Sequence, residues 1–123
     1  MNKYFIILCL ILLSRVATAH EMIPTYPKWR LSIYDGLLVT EMEMFNKRED
    51  VEYYEVAVFD DKWNPIPFVS SFKLFKLEYL SKVKFDVYIR EQDRERTEYI
   101  CSTSKLRNNK APAISSMICS KFK

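Results

Sequence analysis

Glycine is almost missing from this chain: Gly36 is the only one in 123 residues. A glycine-rich loop that cradles phosphate is therefore excluded. Histidine is as scarce, with His20 alone, so no site that needs two imidazoles can form. The three cysteines, Cys9, Cys101 and Cys119, are too few and too far apart for a tetrahedral zinc centre. No apolar run approaches the ~20 residues of a membrane-spanning helix. A strong excess of one charge is missing too: 19 Lys and Arg stand against 16 Asp and Glu. That balance excludes a global nucleic-acid or membrane footprint.

What is present begins with an export signal. Lys3 precedes the uncharged apolar run 4–13, Arg15 closes it, and Ala17-Thr18-Ala19 supplies small residues. This three-part layout predicts cleavage before His20. Cys9 sits inside the apolar run without the small residues of a lipidation site, so no lipid anchor is expected. Residues 20–123 are then about 100 residues, the size of one domain, with a net charge of about +1. Export places them in an oxidising compartment, periplasmic or extracellular. There Cys101 and Cys119 remain as an even pair. A disulfide is expected, contributing about 3 kcal/mol on the chain-entropy view.

Charge is uneven within that domain. Residues 41–61 carry eight acids against Lys47 and Arg48, whereas residues 105–123 carry five bases and no acid. Such asymmetry ordinarily marks a solvated face, and it also makes the last segment attractive to a carboxylate or an acidic partner.

The dominant pattern has period two, as strands require. In 83–90, Val83, Phe85, Val87 and Ile89 point one way; Lys84, Asp86, Tyr88 and Arg90 point the other. In 38–44, Leu38, Met42 and Met44 face inward and the glutamates outward. Residues 53–59 are nearly continuous in apolar side chains, as a central strand is. Segments 29–34, 72–77, 98–102 and 114–122 complete seven candidate strands, separated by Asp35-Gly36, the doubly proline-broken stretch 60–67 and polar connections. Residues 91–96 could form a helical turn. Seven short strands in about 100 residues predict an all-β, immunoglobulin-like sandwich, with a small antiparallel barrel as the competitor.

The order of residues resembles the N-terminal domain of the PapD-like periplasmic pilus chaperones. Arg30 to Gly36 (RLSIYDG) is similar to that family's first strand. Met42 to Asn46, Tyr54 to Phe59 and Pro65-Ile66-Pro67-Phe68 are similar to its second and third strands and the proline-containing crossover. Leu77 to Lys82 is similar to its approach to the alternating strand, without the Pro and Gly found there. The resemblance spans most of 29–123, and those chaperones continue into a second domain. It implies a chaperone-like protein that binds another exported protein, pilin-like or a surface-assembly subunit, by β-strand addition through its last strand. The donor positions fall on Ile114, Ser116 and Ile118, and a basic anchor for the partner's carboxylate falls on Lys123. Lys121 adds to that basic end. The family's arginine falls on Leu31, so that Arg30, one residue early, points to the opposite face unless a bulge intervenes. One branch of the family also bridges its last two strands, as Cys101 and Cys119 would. Donation requires Ile114 and Ile118 to be exposed on an edge strand.

No catalytic constellation is expected. His20 at a new N-terminus reads as a flexible tail, copper chelation lacking a second imidazole. Both remaining cysteines are tied, and Asp60-Asp61 is turn chemistry. No cofactor and no metal are expected. Most aromatics read as core, except Trp63 in the proline-rich turn, against which Tyr26 and Trp29 are candidates to pack. The alternative function is a structural or recognition module of a surface, secretion or conjugation apparatus that works through its loops.

Overall fold

Strands form where β-branched and aromatic residues alternate with polar ones. The computed structural model, which describes residues 2–12, 19–105 and 115–122, has strands there. The elements are a helix α1 (Lys3–Leu12) and eight strands: β1 (Glu21–Ile23), β2 (Arg30–Leu31), β3 (Leu37–Phe45), β4 (Tyr53–Phe59), β5 (Leu74–Lys76), β6 (Lys82–Arg90), β7 (Tyr99–Lys105) and β8 (Met117–Lys121). Among the described residues no helix is long and apolar enough to cross a membrane.

All pairings are antiparallel. In sheet A, β3 is flanked on one side by β1 and β2 and on the other by β6. Sheet B runs β5-β4-β7-β8. The β3–β6 ladder is continuous from Leu37↔Arg90 to Phe45↔Lys82, which fixes one face of each strand toward the interior. Leu38, Met42 and Met44 therefore meet Phe85, Val87 and Ile89 in the core, while Lys84 is exposed. Val83 packs against this core at its margin. From sheet B come Tyr54, Val56, Val58 and Ile100. Residues 91–93 form a 3-10 turn.

The first strand differs from the expected 29–34. It is split into β1 and β2, both paired with β3 at its two ends. The reason is proline: Pro24, after a cis peptide bond, and Pro27 have no N–H to give the ladder. Between them the chain leaves sheet A and crosses to the end of β8. Residues 33–36 belong to a turn rather than a strand. Ser32 Oγ bonds the Tyr34 amide (3.0 Å) and the Leu37 carbonyl (2.8 Å), and Gly36 adopts φ +77°, which a side chain would resist.

Candidate functional site

The last described strand, β8, is an edge strand of sheet B. Its hydrogen bonds with β7 can be counted outward from two fixed points. Ser104 N–H donates to Ser116 O and Phe122 N–H to Glu98 O, both at 2.9 Å. Alternation then directs the backbone of the even-numbered residues to β7 and that of Met117, Cys119 and Lys121 away from it. Lys121 N–H finds Thr25 O at 3.0 Å, and Ser120 Oγ–H donates to Pro24 O at 2.7 Å. The crossing segment thus covers the end of the edge. Among the described residues, the outward backbone groups of Met117 and Cys119 form no backbone hydrogen bond to another strand, although β1 runs close beside β8.

The two faces of β8 differ. Met117 and Lys121 are exposed, while Ser120 and Phe122 are buried. Cys119 lies directly opposite Cys101 on the outer face of sheet B, and the two form a disulfide with a Cα–Cα separation of 4.1 Å. That spacing belongs to a pair whose backbones do not bond each other. The bridge braces the edge strand to its neighbour without using the edge itself.

Most of the positions singled out from the sequence are visible. Ser116 is half-buried. Ile118 is also part-buried and packs against the core cluster, so its side chain is not the exposed donor that strand donation requires. Lys121 pairs with Glu98 at 3.5 Å. Arg30 is exposed opposite Val39, a residue outside the core cluster, and so lies on the outer face of sheet A, whereas Leu31 shares the face of Leu38. Ile114 and Lys123 lie outside the described residues.

Two expectations are corrected. His20 is no flexible tail: its side chain is 2% exposed. Its Nε2 is 3.1 Å from Ser102 O and 2.8 Å from Ser102 Oγ, and its Nδ1 is 3.1 Å from Ser116 Oγ. The buried serines need partners, and a lone imidazole with two polar nitrogens supplies them. Trp29 does not pack on Trp63. It stacks on Phe122, with centroids 4.5 Å apart, and so ties the first strand to the last. Trp63, at φ +64°, lies instead on Tyr99 at 4.4 Å. The Asp60 carboxylate holds that turn through the Lys62 and Asn64 amides.

Around His20 lies a polar cluster that pattern reading missed. Arg48 Nη1 approaches Ser116 Oγ at 3.4 Å and its guanidinium clasps Asp50. Asn46, fully buried, donates to Val51 O and Leu77 O and accepts from Tyr54 Oη (2.6 Å) and the Arg48 amide. Burial raises the Tyr54 phenol to about 12. Burial pushes the His20 imidazole below its ordinary value; the bond to Ser102 opposes this and the Arg48 charge adds to it. The available signal was period two itself: Ser102 and Ser104 share the face of Ile100, where unpartnered hydroxyls are costly.

An open cleft of about 410 Å³ lies at the Trp29–Phe122 end, lined among others by Tyr26, Lys28, Arg94 and Thr97. Trp29 Nε1 is buried there without a hydrogen-bond partner among the described residues. No three His, Cys, Asp or Glu side chains among the described residues converge as a metal site.

Two antiparallel sheets packed face to face, with a last strand at one edge, define an all-β immunoglobulin-like sandwich. The fold is that of a solved chaperone. The crystal structure of the E. coli chaperone DraB superimposes with a TM-score of 0.58 at 15% identity, over 85% of this chain and 53% of that one. The chain thus spans about half the length of that chaperone. No protein-family model matches the sequence, and no curated protein matches it either.

Proposed function

We propose that this is an exported, non-enzymatic binding domain that engages another exported protein by β-strand addition along β8. The observation that carries the reading is the open edge: the outward backbone of Met117 and Cys119, braced from the side by the disulfide. An edge of this kind is a template for a further strand unless it is covered or charged. Among the described residues, backbone hydrogen bonding to this edge reaches only Lys121, and β1 lies beside it without pairing. The similarity in fold to a chaperone supports the same reading. Residues 1–19 act as the export signal and are removed. The cleft beside the Trp29–Phe122 stack, with Lys28 and Arg94, lies at the far end of the same strand. A partner's chain end or carbonyl would find donors there, and Arg30 and Lys123 directly follow the two stacked rings in sequence.

Met117→Pro tests the mechanism. Proline at 117 deletes an N–H that points away from β7, a place where an edge strand tolerates proline. The expected result is a folded, disulfide-bonded protein that no longer co-purifies with its partner from the native cell envelope. Unchanged co-purification would refute strand addition through this edge. A second reading, recognition through loops, is favoured by one observation: Trp63 is half-exposed although held at a positive φ that bulky residues avoid. Trp63→Ala, with Met117 intact, would then abolish co-purification instead.

A further inference from the structure

The buried cluster at the opposite end of β8 has a consequence for that strand. Ser102 O can only accept, which places the ring proton of neutral His20 on Nε2 and leaves Nδ1 to accept from the Ser116 hydroxyl. Ser116 Oγ in turn accepts from Arg48 Nη1 at 3.4 Å, and Ser104 Oγ accepts the Ser116 amide at 2.9 Å. So the hydroxyl of the residue that leads into β8 has its acceptor in an imidazole reaching across from the residue that leads into β1. A protonated ring would have to donate from Nδ1 as well. The Ser116 hydroxyl would then receive donors from two cations, and its own proton would have only the distant Ser104 Oγ, 3.5 Å away, to go to.

We propose that His20 is a proton-operated latch on β8: neutral, it pins Ser116 against β7 and Arg48; protonated, it releases the leading end of the strand. As regulation of a binding edge this rests on the function proposed above, although the latch itself can be tested without a partner. The groups that face His20 set the direction. Arg48 and Asp50 come from the β3–β4 connection and pair with each other, so that among the described residues no unpaired anion faces an imidazolium. Tyr54 of β4 lies with its ring 4.7 Å away and stays neutral across the relevant range. β7 and β8 contribute only serines. Removal of residues 1–19 adds the α-ammonium of His20 itself, a further cation beside the ring, while the neighbouring Glu21 is engaged by Lys47 at 3.0 Å on the exposed side.

The sign follows from linkage. His20 binds its proton less readily when folded than when unfolded or released. The latch is therefore complete above the unfolded value of about 6.5 and is lost as pH falls toward the folded one. A compartment that acidifies would loosen the strand, and neutral pH would fasten it.

Two measurements on the full exported protein decide the matter. The His20 ring protons, followed by NMR, should titrate with a midpoint below 6.5. Amide hydrogen exchange at Ser116, and at Ser104, whose N–H donates to Ser116 O, corrected for its intrinsic pH dependence, should rise below about pH 6.5 by up to about tenfold per pH unit. The β3 and β6 amides should not change. In His20→Gln, which keeps a neutral donor and acceptor, the pH dependence should vanish. Should that variant fail to fold, Ser116→Ala replaces it: exchange at Ser104 is then fast at every pH. A His20 midpoint at or above 6.5, or equal protection of Ser104 at pH 7.5 and 5, overturns the latch. Either result leaves the Met117→Pro test of strand addition untouched.

Discussion

The β3–β6 pair and the β7–β8 pair are both antiparallel ladders in one sandwich, yet they are held by different physics. The first runs unbroken over nine residue pairs, and every inward position from Leu38 to Met44, Thr40 apart, is apolar. The second is five pairs long, its inner face carries Ser102, Ser104 and Ser120 beside Ile100, and a covalent bridge lies on its outer face. Apolar packing is non-directional and collective, so β3–β6 cannot be released in part. Hydrogen bonds and a disulfide are discrete, so the start of β8 can let go while the clamp at Cys119 keeps the strand in place. The difference separates a region that stores stability from one that stays available.

Substitutions should expose that division. The largest expected effect is in the packed ladder: Phe85→Ala, at a site 4% exposed, should cost about 3–5 kcal/mol, read by chemical denaturation. Lys84→Ala on the opposite face should stay within about half a kcal/mol, and equal effects would break the assignment of faces. Removing the bridge by replacing Cys101 and Cys119 with alanine should cost about 2–4 kcal/mol. Hydrogen exchange should show the loss of protection confined to β7 and β8; loosening of β3 as well would erase the contrast between the two pairs. Unreduced peptide mapping of the exported protein should find the linked cysteines. A smaller loss than that of the bridge belongs to the polar cluster: Tyr54→Phe removes one buried bond to Asn46 and should cost about 0.5–1.5 kcal/mol.

The faces of β3, β4 and β6 were legible in the sequence because period two is a local property, recorded in each run of side chains. The turn at Gly36 was legible for the same kind of reason. The first strand was not, since its two pieces count as one only after both have paired with β3. The candidate edge was half legible. Its disulfide followed from residue order, whereas the exposure of Met117 rather than Ile118 did not, because Ile118 touches core residues contributed by other strands.

By itself, then, the sequence determined the all-β class, the inward faces of the long strands and the cysteines available to pair. Tertiary structure alone decided that the crossing segment caps only the end of β8 at Lys121, that Trp29 meets Phe122, and that His20 is buried. The physical reason is range. Alternation is decided between neighbours, but the partner of a lone imidazole is decided by whichever chain arrives beside it. For His20 that is Ser116, 96 residues away.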